Sequence, residues 1–84
     1  MSNTLEAPVI TAIETALRGA IPDAKVRANG GGGHYVVEVI SPVFEGKSTL
    51  QRHRLVLSAI APLMAGDAAP VHAVDAIVAK TPAE

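Results

Sequence analysis

Few side chains in this sequence could do chemistry. They are three histidines, His34, His53 and His72, and a basic run of Lys47 with Arg52-His53-Arg54. Cysteine is absent, so no thiolate can act as nucleophile or metal ligand, and no disulfide framework exists. Packing alone must hold the chain together, which suits a reducing compartment.

Two of the histidines share a context. His34 opens the β-branched run Tyr35-Val36-Val37-Glu38-Val39-Ile40, and His72 opens Ala73-Val74-Asp75-Ala76-Ile77-Val78-Ala79. If both runs are strands and run parallel, both histidines lie at the same end of one sheet. Neighbouring strands are about 4.8 Å apart, and strands with one between them about twice that. Either spacing lets two imidazoles share a metal site or one partner surface. The glycines at 30–33 read as a flexible turn beside His34 that lets another backbone approach. Closed metal sites generally take about four ligands. Two histidines are therefore an incomplete set, and with no other carboxylate evidently aimed at this edge the remainder is expected from a partner. Asp75, close behind His72 and read as sharing its face, could accept a hydrogen bond from that imidazole; a solvated carboxylate is the simpler expectation.

The remaining signals point to structure more than to chemistry. Gly46-Lys47-Ser48 imitates the tail of a phosphate-binding loop, but the glycine required five residues earlier is Ser41. Ser48 reads instead as a helix N-cap, with Gln51 completing a capping box. Lys47, Arg52 and Arg54 are candidates for phosphate or nucleic-acid contact. Against that, stacking aromatics and a strong basic field are lacking, since the net charge is −1. His53 falls on an apolar stripe and reads as a half-buried packing residue; Arg52 and Arg54 read as solvated or paired with Glu45 or Glu38. No serine–histidine–acid arrangement can be placed, so no catalytic residues and no enzyme activity are expected.

The elements that must position these residues follow from periodicity. With 84 residues, one domain spanning 1–84 is expected. Hydrophobic residues make up 49% of the chain and the only aromatics are Tyr35 and Phe44, so the core must be aliphatic. Leu5, Val9, Ile13 and Leu17, with Ile10 alongside, form the stripe of an amphipathic helix that Gly19 and Pro22 stop. Ala24, Val26 and Ala28 alternate with Lys25 and Arg27, as in a strand with one wet face, and pair with Tyr35–Ile40 as an antiparallel hairpin. A short helical turn is expected within Phe44–Ser48. A main helix then buries Leu50, His53, Leu57, Ile60 and Met64, and Pro62 is expected to kink or end it near Ala61. A crossover through this helix makes the second and third strands parallel, with helices on one face of a three-stranded sheet. No signal peptide and no run of about 18 apolar residues is read, so a cytoplasmic protein without membrane contact is expected.

The run Phe44-Glu45-Gly46-Lys47-Ser48-Thr49-Leu50-Gln51-Arg52-His53-Arg54 resembles the signature of the BolA-like family: Phe-x-Gly-x-Ser, three residues, then Arg-His-Arg. His72-Ala73-Val74 is similar to the family's opening of its last strand, and Thr81-Pro82-Ala83-Glu84 to its close. His34 before Tyr35-Val36 looks like the loop histidine of the histidine-bearing subgroup. Together these cover roughly residues 9–84 in order. The sequence departs from the pattern in its four-glycine loop, which is longer than expected, and in closing at Glu84, where many relatives carry a short tail.

The resemblance implies an α+β, class II KH-like αββααβ fold with a mixed sheet and helices on one face. It also implies a role in iron–sulfur cluster assembly or trafficking, or in iron homeostasis. The implied partner is a monothiol glutaredoxin, which shares with this chain a bridging two-iron two-sulfur cluster. The glutaredoxin cysteine and glutathione supply ligands on one side; His72, and the loop residue His34, supply them on the other. Histidine ligation raises a cluster's potential and makes it more labile near neutral pH. The isolated chain is expected to carry no cofactor. The family is also linked to DNA binding and transcriptional control through the KH-like surface; here the Gly-x-x-Gly phosphate grip is not evident, since position 49 is Thr.

Overall fold

The computed structural model describes residues 6–84, together with the side chains from Ala7 onward; Leu5 of the expected helical stripe lies outside them. The stripe it would extend is present. Helix α1 (Glu6–Ala20) buries Ile13 and Leu17, with Val9 and Ile10 partly buried beside them. The Ile21 N–H reaches the Leu17 carbonyl at 2.9 Å, which tightens the helix end before Pro22.

Strand β1 (Lys25–Gly31) alternates as expected, with Lys25 and Arg27 exposed and Ala28 buried. Strand β2 (His34–Ile40) buries Tyr35, Val37 and Val39. The two pair antiparallel from Lys25↔Ile40 to Gly31↔His34. The expected four-glycine loop is therefore corrected: Gly30 and Gly31 belong to β1, and only Gly32 and Gly33 turn. Their φ angles of 62° and 85° are both positive, as a two-residue type I′ hairpin turn requires. A turn this short places His34 inside the strand rather than on a loose loop.

A single 3₁₀ turn follows at Pro42–Phe44, earlier than the expected Phe44–Ser48. Ser41 caps it by accepting from the Val43 N–H, and donates its own hydroxyl to the Pro22 carbonyl, so this buried polar group is satisfied. Helix α2 (Thr49–Met64) opens with the capping box read in the sequence, Ser48 and Gln51 bonding each other's backbone N–H at 3.1 and 2.9 Å.

Two expectations for α2 hold only in part. Its buried residues are Val56 and Ile60, whereas Leu50 and Leu57 are 59% and 39% exposed. Apolar residues stand on two faces of this helix, and three- and four-residue steps fit either; packing against α1 and β3 selected one. His53 and Met64 are half-buried. Of the two outcomes expected at Pro62, an end near Ala61 does not occur, since α2 runs to Met64 with Pro62 inside its last turn. Its missing N–H would have met the Ser58 carbonyl, and both residues are exposed, so water can serve that group.

Strand β3 (Ala73–Lys80) completes a sheet of order β1-β2-β3, parallel to β2. Both helices pack on one face of it. Their buried residues meet Tyr35, Val37, Val39, Phe44 and Val71 in one aliphatic-dominated core. The opposite face, which carries Arg27, Val36, Glu38 and Val78, stays accessible. The αββααβ order expected of an α+β chain holds, with the middle helix reduced to the 3₁₀ turn. Among the described residues no helix is long and apolar enough to cross a membrane.

Candidate functional site

Parallel pairing of β2 and β3 brings the two histidines to one end of the sheet. His34 is the register partner of Ala73, which directly follows His72. The Gly33 carbonyl accepts from both the His72 and Ala73 N–H groups, at 2.8 and 3.0 Å. The hairpin turn is thereby stapled to the head of β3. Gly33 also forms the seat of the His72 ring: a Cβ at this position would lie 2.9 Å from the ring's Cγ and Nδ1. Both histidines are exposed.

Asp75 belongs to this edge but not to the partner expected for it. The His34 Nδ1 and Asp75 Oδ1 lie 3.3 Å apart, with side chains 59% and 55% exposed. The expectation that Asp75 shares the face of His72 is corrected, and so is the expectation that no carboxylate reaches this edge. Asp75 stands three residues beyond His72, so simple alternation would oppose the two. A bulge also intervenes: Tyr35 pairs with Val74 and Val36 with Ala76. Nothing in the local pattern announces it.

The donor set does not complete a metal centre by itself. Two imidazoles are sound ligands for iron or zinc. Among the described residues, however, no group of three or more His, Cys, Asp or Glu could hold a metal ion. What this edge offers chemically is two exposed imidazoles within reach of a second molecule.

The basic segment divides. Arg52 pairs with neither Glu45 nor Glu38. Its guanidinium donates to both carboxylate oxygens of Glu84, at 2.7 and 3.3 Å, and to the Lys47 and Ala79 carbonyls, at 3.0 and 3.1 Å. Glu84 also accepts from the Thr81 N–H at 2.7 Å. The Arg52 hydrogen bond, aided by that of Thr81, lowers the Glu84 carboxyl from 4.5 to about 2. Arg52 is thus a structural clamp joining the start of α2 to the end of β3, and it drops out as a nucleic-acid candidate. The sequence carried a signal for this, the Thr-Pro-Ala-Glu close, without showing what it closes on. Lys47 and Arg54 instead line a shallow groove of about 310 Å³ with Gln51, Leu55 and Ser58.

The model of the BolA-like protein family matches residues 3–84. BolA-like protein 1 of Homo sapiens is 46% identical over 87 aligned residues, covering 92% of this chain and 61% of the human protein. The chain thus spans about three fifths of the length of that curated relative. The solution structure of BolA1 from Mus musculus superposes with a TM-score of 0.68 at 45% identity, covering 90% of this chain and 67% of that one. A bolA homologue from Coxiella burnetii superposes at 0.74 with 31% identity, covering 99% and 95%. On the family match, the relatives' identity and the shared fold, this chain belongs to the BolA-like family.

Proposed function

We propose that this chain is an adaptor in iron–sulfur cluster assembly or trafficking, or in iron homeostasis, and that it acts by binding a monothiol glutaredoxin. In the mixed complex a two-iron two-sulfur cluster bridges the partners: glutaredoxin cysteine and glutathione on one side, His72 and His34 on the other. The observation that carries this reading is the incomplete ligand set at one sheet end, two exposed imidazoles flanking Gly33 with no third ligand completing a site among the described residues. Such a set holds nothing tightly alone and becomes a site when a second protein completes it. The chain's part is to present ligands, in a reducing, cytoplasmic setting.

The test is a titration of this chain into cluster-loaded monothiol glutaredoxin, followed by visible circular dichroism, with wild type and His72→Ala side by side. His72 is exposed, so the variant is expected to keep its fold and its urea midpoint while the cluster spectrum is lost or altered. A wild-type titration without spectral change would remove this reading.

The alternative is a DNA-binding transcriptional regulator. The observation in its favour is the α2 groove with Lys47 and Arg54 on its wall. Binding to a generic duplex that weakens steeply with salt, and weakens again in Lys47→Ala, would support it.

A further inference from the structure

Asp75 is the residue that the bulge adds to β3. Its neighbours Val74 and Ala76 pair with the consecutive residues Tyr35 and Val36, which leaves Asp75 without a partner across the ladder. A bulge disrupts the ladder locally and re-aims a side chain. Here it delivers a carboxylate to the imidazole on the adjacent strand, 3.3 Å from Nδ1. An ionised carboxylate can only accept, so this contact favours a proton on Nδ1. In the neutral ring the lone pair is then on Nε2, at the far tip of an exposed side chain.

We infer that Asp75 is a positioning residue for His34. It selects the Nδ1–H tautomer, limits rotation of the ring, and presents Nε2 outward as the atom that ligates the shared metal centre. His72 is placed differently, with its ring lying against Gly33 where a Cβ would crowd it. The two ligands of one edge are thus oriented by different devices, a bulged carboxylate and a missing Cβ. The ligand role of Nε2 rests on the cluster-sharing reading; the tautomer does not.

The experiment begins with the isolated, metal-free chain at about pH 8, where a histidine of ordinary pKa is neutral. Long-range proton–nitrogen correlation of the imidazoles reads the tautomer directly. Wild-type His34 is expected to show the Nδ1–H pattern, and Asp75→Ala to return it to the Nε2–H form that solvated histidine favours, with the His72 ring signals unmoved. A wild-type His34 in the Nε2–H form, or a tautomer indifferent to Asp75→Ala, overturns the positioning role. The second arm repeats the titration into cluster-loaded glutaredoxin. Asp75→Ala is expected to raise the chain concentration needed to convert the spectrum several-fold. That is below or near the lower end of the roughly 10–100-fold range for losing a ligating histidine's hydrogen-bond partner, because the bond is long and solvated. A titration unaffected by both Asp75→Ala and His34→Ala overturns Nε2 as a ligand. A wild-type chain that never changes the spectrum overturns the cluster reading itself, and the ligand role with it, whatever the tautomer.

Discussion

Three glycines around the hairpin should respond very differently to one added methyl group. Gly32 has φ 62° and no heavy atom within 4 Å of a built Cβ. Its replacement by Ala meets only the left-handed backbone penalty of roughly 1–2 kcal/mol. About 0.4–1 kcal/mol of this is offset by the lower entropy of the unfolded chain, so Gly32→Ala is expected to lose roughly 0–1.6 kcal/mol. Gly33, at φ 85°, meets the same backbone penalty, and its Cβ would press on the His72 ring at 2.9 Å. That ring ends an exposed side chain and can swing away. Displacing it from its rotamer adds about 0.5–1.5 kcal/mol, for a total near 2 kcal/mol. Gly30, at φ 133°, would put its Cβ 2.2 Å from the His34 carbonyl oxygen and 2.8 Å from the Tyr35 Cα. These are backbone atoms of the paired strand and cannot yield without breaking the ladder, so a loss above about 3 kcal/mol is expected. Urea unfolding ranks the three variants, and ring proton resonances report His72. Gly33→Ala should move the His72 signals while Gly32→Ala leaves them in place. Equal losses at 32 and 33, or a Gly30→Ala as mild as Gly32→Ala, would refute the close approaches on which the site geometry depends.

The phase of α2 is checked by Ile60→Ala, expected to lose about 2–5 kcal/mol as a fully buried truncation. Leu57→Ala on the exposed face should stay within about 1 kcal/mol; similar midpoints for the two would return Leu57 to the core. Glu84 titrates near pH 2 in the folded chain against an ordinary 4.5. The stability it contributes is therefore present above about pH 4.5 and lost as pH falls from there toward 2. Thermal unfolding of wild type and Glu84→Gln should differ at pH 6 and converge near pH 2, and curves that stay parallel would contradict the clamp. Arg52→Ala should weaken the same pH dependence, because it takes away the first cause of the lowered carboxyl and leaves the Thr81 hydrogen bond.

The alternation of Lys25, Arg27 and Ala28, the β-branched run from Tyr35, and the Ser48–Gln51 capping box were legible in the sequence, because each is a local pattern whose period or spacing names its element. So was the meeting of His34 and His72 at one end of a sheet. Two strands joined through a helix run parallel, and residues that open parallel strands share an edge. The family resemblance rested on residues around these same elements, and the family match includes them.

What lay beyond the sequence depends on distances between segments far apart in the chain. The face that α2 buries could not be read, because Leu and Ile stand on two of its sides and only contact with α1 and β3 separates them. Arg52 and Glu84 are 32 residues apart, and no period connects them; their pairing exists because the end of β3 runs back past the start of α2. Alternation already sets Asp75 opposite to His72, but its meeting with His34, 41 residues away, depends on the β2–β3 register and its bulge, which the apolar pattern does not announce. Local order thus set the elements and their succession. Tertiary packing decided which imidazole has a carboxylate behind it, which arginine is spent on structure, and that the His72 ring lies against a glycine with no room for a Cβ.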